Sequence, residues 1–169
     1  MSGENQIGIA AIKLLMLTGC RKNEVLSLRW SEVDVERRCL RLKDSKTNEK
    51  VVPMGLAALQ LISDQPKINN SEFVFPSMRG DGHLIGLPRI WKRISQKARL
   101  RSIRLHDLRH NFASVGAGAG LSLYIVGALL GHKDAKTTAR YAHLADDPAQ
   151  LAADEISGHI AKALLGYRQ

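Results

Sequence analysis

The sequence of 169 residues lacks the features of membrane and secreted proteins. Its apolar run Leu14–Cys20 is far shorter than the about 20 residues that cross a bilayer. The first residues, Met1–Glu4, contain no basic segment followed by an apolar stretch, so they do not resemble a secretory signal. Two cysteines, Cys20 and Cys39, are too few for a disulfide framework. We therefore expect a protein of a reducing, cytoplasmic compartment with no membrane partner.

Acidic residues are also scarce, since 25 Lys and Arg stand against 16 Asp and Glu, a formal net charge of +9. The excess of positive charge is concentrated in residues Arg89–Arg109, the basic segment. This segment contains one acid, Asp107, and eight basic residues: Arg89, Lys92, Arg93, Lys97, Arg99, Arg101, Arg104 and Arg109. A charge run is often only a solvated helix face. Because few acids are interspersed here, we favour a polyanionic partner for this segment.

The chain is long enough for one core that buries roughly 70% of the unfolded surface. Periodicity predicts a mainly α fold with a small antiparallel β-sheet, an α+β class, and a single domain over residues 1–169. Alternation over Arg38–Lys43, turn residues at 44–48 and a return of the pattern at Val51–Val52 predict a β-hairpin with Lys46 in its turn. A short strand is predicted at Phe73–Phe75, before the glycine-rich loop Ser77–Gly86. The predicted helices are Ile7–Leu17, Asn23–Leu28, Gly55–Ser63, Pro88–Arg99, Asp107–Ala117, Leu123–Leu130, Thr137–His143 and Pro148–Leu165.

One short pattern suggests a metal site. His106 and His110 lie four residues apart on one helix face, a spacing similar to that of the zinc proteases, with Asp107 in place of their glutamate. The shorter aspartate would set the base back by a methylene, Arg109 would lie beside the metal, and a third ligand would have to be His132 or His143. We therefore expect no metal and no cofactor.

Three stretches carry the strongest signal: the first box, Thr18–Trp30, the second box, Leu105–Ser114, and the third box, Leu129–Leu144. In this order they resemble the signature boxes of the tyrosine recombinases, the phage integrase family. The resemblance implies the following catalytic set: Arg21 as the first arginine, Lys46 as the hairpin lysine, His106 and Arg109 as the H-x-x-R pair, His132 as the second histidine and Tyr141 as the nucleophile. Glu24 matches the acidic residue that is usual in the first box.

The chemistry of these residue types agrees with the resemblance. A phosphodiester under attack gains charge on its non-bridging oxygens, and two guanidinium groups offer planar donor sets that match phosphate.

Tyrosine forms covalent intermediates, and ionising its phenol at pH 7 costs about 4 kcal/mol. The other tyrosines are Tyr124, in an apolar run, and Tyr167, in an acidic tail. By itself Lys46 is an ordinary surface lysine, and the resemblance implies that it protonates the leaving 5′ oxygen. Lys43 and Lys50 flank the same turn.

The resemblance implies a site-specific DNA recombinase that acts through a 3′-phosphotyrosine intermediate, in integration or excision of a phage or genomic island. It implies three kinds of partner: double-stranded DNA, other protomers in a synaptic tetramer, and accessory DNA-bending proteins. We expect this chain to correspond to the catalytic domain alone, without the core-binding and arm-binding domains that are usual in the family. We expect DNA contacts from Arg89, Lys92, Arg93, Lys97, Arg99, Arg101 and Arg104, in a bacterial or phage-infected cell. The alternatives are a type IB topoisomerase-like enzyme and a non-catalytic basic DNA-binding module.

The last predicted helix has an apolar stripe at helical spacing, formed by Leu151, Ala152, Ile156, Ile160 and Leu164. Its segment, Asp146–Gln169, carries a net charge of −2, which makes it a poor surface for DNA. The stripe packs either on its own core or on a neighbouring protomer. The sequence leaves both alternatives open.

Overall fold

The computed structural model describes residues 5–43, 50–68, 71–100 and 102–131, together with Ala153, Ile156, Ser157 and Ile160. The described residues up to 131 contain six α-helices, one 3₁₀ turn and three short strands, so the predicted α+β class is confirmed. Contacts divide the chain into two compact units. Unit 1 is Met1–Phe112 with Leu129–Gly131, and unit 2 is Ala113–Ala128 with His132–Gln169.

Helix α1, Gln6–Thr18, lies in the hydrophobic core of unit 1. Its first turn is capped by Asn5, whose Oδ1 accepts a hydrogen bond of 3.0 Å from the N–H of Gly8. Nine of its thirteen residues are buried, because the helix packs against α2, Lys22–Leu26, α3, Leu56–Ser63, and α4, Leu87–Lys97. The helix ends at Gly19, which adopts the left-handed conformation common after a last helical turn.

Three antiparallel strands form a sheet in the order β1, Val33–Asp34, β2, Cys39–Leu42, and β3, Lys50–Pro53. Leu40 pairs with Val52, and both are about 1% exposed, so alternate positions of the predicted hairpin face the core. The hairpin is confirmed, whereas its turn with Lys46 lies outside the described residues. Strand β1, which follows the 3₁₀ turn Trp30–Glu32, is not predicted, because two residues are too few for a periodic pattern.

The predicted strand at Phe73–Phe75 is wrong. Phe73 forms a single antiparallel bridge with Arg29, and three residues later Pro76 pairs with His83 instead. Because the partner changes within three residues, no ladder forms. Val74 and Phe75 are buried in the core, and this packing explains the apolar run that suggested a strand.

Helix α4 separates an apolar face from a basic one. Its buried residues are Leu87, Ile90, Trp91 and Ser95. Its exposed cations are Arg89, Lys92, Arg93 and Lys97. The hydrophobic effect therefore fixes the helix on the core and leaves the cations directed outward.

Helix α4 ends two residues before the predicted boundary. Arg99 has a φ of +55°, its N–H donates to the carbonyl of Gln96 at 3.0 Å, and the N–H of Leu100 donates to the carbonyl of Ser95 at 2.8 Å. These bonds form a Schellman motif, in which the left-handed position is usually glycine. Here that position is an arginine of the basic segment.

Helix α5, Asp107–Gly118, and helix α6, Leu123–Leu130, follow as predicted. Within unit 2 they bury Ala113, Ala117 and Val126. Of the predicted last helix, the described positions Ala153, Ile156, Ser157 and Ile160 are helical, and Ile156 and Ile160 are 60% and 55% exposed. The predicted helix at 137–143 lies outside the described residues. Within the described residues, no helix has the length and apolarity to span a membrane.

Candidate active site

Arg109 of the second box is buried, with 6% of its surface exposed. Its Nη1 donates to the carbonyl of Gly19 at 2.6 Å, and its Nη2 donates to the carbonyl of Leu130 at 2.7 Å. Carbonyls at helix C-termini lack helical partners and carry partial negative charge, so a buried guanidinium suits them. Gly19 belongs to the first box and Leu130 to the third. One side chain therefore joins all three boxes.

The glycine at position 19 allows its own backbone carbonyl to come within hydrogen-bond distance of the Arg109 guanidinium. Its φ is +64°, and a Cβ atom built there would lie 2.7 Å from Cδ1 of Phe112 and 2.8 Å from Cδ2 of Leu130. Real Cβ contacts are essentially never that short. The backbone of the first box therefore reaches Arg109 only because residue 19 has no side chain.

Arg21 immediately precedes helix α2, and its side chain is 54% exposed. The carboxylate of Glu24 accepts hydrogen bonds from the Arg21 backbone N–H at 2.7 Å and from Arg21 Nη1 at 2.9 Å. The first bond satisfies a backbone donor at the helix start, as glutamate at this position of a capping box does. The second bond orients a guanidinium that stays accessible to an anion.

Lys50, the first residue of β3, also binds Glu24. Its Nζ donates to both carboxylate oxygens at 2.9 Å, and its side chain is 16% exposed. Burial by itself raises the pKa of the Glu24 carboxyl, but hydrogen bonds from Arg21 and Lys50 and the Lys50 charge outweigh it and lower the pKa below its ordinary value. Glu24 is therefore an ionised carboxylate held between two cations at neutral pH.

His106 is exposed and lies one residue before helix α5. Its carbonyl accepts a hydrogen bond of 3.1 Å from the Arg109 N–H, and its ring meets that of His110 edge to face, with 5.0 Å between the centroids. Among the described residues, no three His, Cys, Asp or Glu side chains are grouped closely enough to hold a metal ion. His132 and His143, the suggested third ligands, lie outside the described residues.

The segment that leads into the second box is anchored at two points. Trp91 Nε1 of helix α4 donates to the carbonyl of Ile103 at 2.8 Å. Asp107 accepts from the Arg104 N–H at 2.7 Å and from Arg104 Nη2 at 3.0 Å, and these bonds lower the pKa of the Asp107 carboxyl. The Arg104–Asp107 pair has the same spacing as Arg21–Glu24. In both places a carboxylate three residues after an arginine accepts the backbone N–H of that arginine, at the start of α2 for Glu24 and just before α5 for Asp107.

A cavity of about 570 Å³ lies where the first and second boxes meet helix α4. Its apolar lining is Leu15, Pro88, Trp91, Ile103 and Leu105, and its basic lining is Lys22, Lys92, Arg104, His106 and Arg109. Its other lining residues are Ser95 and Cys20, and burial raises the pKa of the Cys20 thiol. This cavity is lined by cations and holds no acidic side chain in its wall, so it favours an anion.

Six of the seven residues predicted to contact DNA are described, and all six are exposed: Arg89, Lys92, Arg93, Lys97, Arg99 and Arg104. Arg101 lies outside the described residues. Their role in DNA binding stays a prediction.

The predicted catalytic residues also divide into those that the structure describes and those that lie outside the described residues. Arg21, His106 and Arg109 are described, and the hydrogen bonds of the Arg109 side chain bring the boxes that contain them together. Lys46, His132 and Tyr141 lie outside the described residues, so their roles stay predictions. The contact between Lys50 and Glu24 was missed, because it joins residues 26 positions apart and no local spacing indicates it.

Comparison with known proteins identifies the class. The chain belongs to the phage integrase family, whose family model matches residues 7–147 and so includes all three boxes.

Two curated relatives are similar in sequence. Prophage integrase IntF of Escherichia coli (strain K12) is 32% identical over an alignment of 134 residues that covers 76% of this chain and 29% of IntF. Tyrosine recombinase XerD of Pseudomonas putida (strain KT2440) is 32% identical over an alignment of 152 residues that covers 80% of this chain and 49% of XerD. The chain thus spans about half or less of the length of these relatives.

Among solved structures, XerH site-specific recombinase bound to difH substrate in a pre-cleavage complex is 26% identical, with a TM-score of 0.67. The match covers 83% of this chain and 44% of that one. The tyrosine recombinase fold implied by the sequence is therefore confirmed.

Proposed function

We propose that this chain is the catalytic domain of a site-specific DNA recombinase that cleaves and rejoins strands through a covalent 3′-phosphotyrosine intermediate. The observation that carries the proposal is the bonding of Arg109 to Gly19 and Leu130, because it brings together three boxes that are distant in sequence. Membership in the phage integrase family supports strand exchange over a topoisomerase or a non-catalytic module. Similarity to a prophage integrase supports a role in integration or excision of a phage or genomic island.

In this mechanism the guanidinium groups of Arg21 and Arg109, with His106 and His132, stabilise charge on the non-bridging oxygens of the scissile phosphate. Phosphoryl transfer depends mostly on such positioning and electrostatic stabilisation. Arg21 is exposed and oriented by Glu24. Arg109 is held rigidly by its two carbonyls, so little reorganisation is needed when charge develops.

The bond changes are balanced within the protein and the DNA. The Tyr141 hydroxyl loses its proton to solvent as its oxygen bonds to phosphorus, the bond from phosphorus to the 5′ oxygen breaks, and Lys46 gives that oxygen its proton. A 5′ hydroxyl of the partner strand then attacks the phosphotyrosine and returns its proton to Lys46, while the released Tyr141 oxygen takes a proton from solvent. The phosphodiester energy is conserved in the intermediate, so no cofactor is consumed.

The proposed DNA surface consists of the exposed cations of α4 and of the segment that follows it, beside the cation-lined cavity. Guanidinium and ammonium groups on one face neutralise successive phosphates of a duplex. The structure of the site-specific recombinase XerH bound to its difH substrate supports duplex DNA as the substrate of this chain. We propose further that protomers assemble as a tetramer at synapsis and that DNA-bending proteins assist.

The test is covalent capture on a pool of nicked duplexes with randomised sequence around the nick. After cleavage the short strand beyond the nick diffuses away, so the adduct accumulates. Protein is then denatured in detergent, and the DNA that remains attached is sequenced. We expect adducts from the wild-type chain in EDTA, because arginines take the place that metal ions have in other phosphoryl-transfer sites.

The matched pair of variants is Tyr141→Phe and Tyr124→Phe. Tyr124 is 85% exposed and lies outside the boxes, so its loss should leave adducts unchanged, whereas Tyr141→Phe should abolish them and retain DNA affinity. Adducts that persist without the Tyr141 hydroxyl and disappear without that of Tyr124 would refute the assignment. Activity lost in EDTA and restored by zinc would instead revive the His106 and His110 metal site.

A further inference from the structure

Lys50 contacts two boxes at once. Its Nζ donates to both oxygens of Glu24 in the first box, at 2.9 Å each. Its stem lies against Gly131 of the third box, where a built Cβ atom would be 2.8 Å from Cε of Lys50 and the φ of +67° also favours glycine. Gly131 directly follows Leu130, whose carbonyl binds Arg109. It also directly precedes His132 in the sequence.

We propose that Lys50 is a positioning residue whose ammonium fixes Glu24, and through it the Arg21 guanidinium, while its stem sets the backbone of the third box at Gly131. This inference deepens the proposed function and rests on it. This role differs from the one proposed for Lys46, because the Lys50 ammonium is engaged by two carboxylate oxygens. A lysine stem also fills the space beside Gly131, which a shorter side chain would leave empty.

The charged groups around Glu24 determine how Glu24 and Arg21 respond to the loss of the Lys50 ammonium. Arg21 and Lys50 are the cations that bind the carboxylate, and the nearby Cys20 thiol has a raised pKa because it is buried. Without Lys50, burial still raises the pKa of Glu24 while one of two compensating cations is lost. The carboxylate then protonates at a higher pH and releases Arg21 there.

The test compares Lys50→Met, Lys50→Arg and the control Lys13→Met, which removes an exposed ammonium from α1. Adduct formation is measured in single turnover at saturating DNA, across pH, with DNA affinity measured in parallel. We expect Lys50→Met to cleave about tenfold to a hundredfold more slowly, with its acid limb at higher pH and its affinity nearly unchanged. Lys50→Arg should recover most of the rate, and Lys13→Met should match wild type.

Two outcomes would overturn the positioning role. One is a Lys50→Met variant with the wild-type rate and an unmoved acid limb. The other is a Lys50→Arg variant as slow as Lys50→Met with an equally altered thermal unfolding, since this would mean that residue 50 only supports the fold.

A second readout needs no catalysis, so it separates this proposal from the proposed function. For the same variants, NMR follows two quantities across pH: the titration of the Glu24 carboxyl and the chemical shift of the Arg21 Nε–H signal. Lys50→Met should raise the Glu24 midpoint and shift the Arg21 signal, and Lys50→Arg should restore both. Signals unaffected by Lys50→Met would refute positioning, whereas a wild-type chain that shows the expected signals but forms no adduct would refute only the recombinase function.

Discussion

At the scale of single residues, the two arginines of the candidate site differ in what they do for the fold. Arg109 is buried and satisfies two carbonyls, while Arg21 is largely exposed and bonded to a neighbouring carboxylate. Lysine has a single ammonium and cannot reproduce the planar donor set that spans Gly19 and Leu130. Substitution of each arginine should therefore separate stability from chemistry.

We expect Arg109→Lys to lower the free energy of unfolding by about 1 to 3 kcal/mol, because a buried carbonyl loses its donor. Arg21→Lys should leave the free energy of unfolding almost unchanged. Both variants should lose most adduct formation. Urea unfolding and covalent capture measure the two effects, and equal stability of the two variants would contradict the structural role of Arg109.

Glu24 gives a pH dependence with a definite sign. Its pKa is lower in the folded protein than the ordinary value of 4.5, so the unfolded chain binds the proton more readily. The carboxylate therefore stabilises the fold above about pH 4.5, and this contribution is lost as the pH falls further through the folded pKa. In urea unfolding we expect Glu24→Gln to be less stable than wild type at pH 7 and to approach it at acidic pH. A constant difference across pH would contradict this.

The residue identities of the site could be predicted from the sequence, since Arg21, His106 and Arg109 stand in recognisable boxes. The different structural roles of these residues could not be predicted from the sequence. The burial of Arg109 and the bonds of Lys50 depend on the packing of helix ends distant in sequence, and neither periodicity nor spacing records that packing.

At the scale of elements, the end of helix α1 determines whether the boxes meet. Gly19→Ala should destabilise the protein by more than about 1 kcal/mol, because alanine is strained at φ +64° and its Cβ would clash with Phe112 and Leu130. Gly55→Ala is the matched control, since Gly55 has a φ of −69° and open space around it. Thermal unfolding of both variants checks this, and an equally stable Gly19→Ala variant would contradict the close approach.

Elements with strong periodicity were predictable, as α1 and the β2–β3 hairpin illustrate. Two kinds of element were not. Strand β1 consists of only Val33 and Asp34, and Phe73–Phe75 has the composition of a strand but exchanges partners after one bridge. In both cases pairing is decided by neighbours that are distant in the sequence.

At the scale of the whole molecule, the exposed cations predict a binding energy that is mainly electrostatic. If about six phosphates are neutralised, DNA affinity should fall about a thousandfold between roughly 50 and 200 mM salt. Titration of a labelled duplex at several salt concentrations measures the slope. An affinity that does not respond to salt would mean that these cations only face solvent.

The arginine at the end of α4 has a consequence for how this sequence can change. At φ +55°, glycine in place of Arg99 would relieve about 1 kcal/mol of backbone strain, yet it would remove a cation from the proposed DNA surface. In a saturation library of this chain, sorting for protein abundance should enrich glycine at position 99, and sorting for retention on DNA should enrich arginine. The residue at position 99 in a related sequence would then indicate whether selection there has favoured stability of the fold or affinity for DNA.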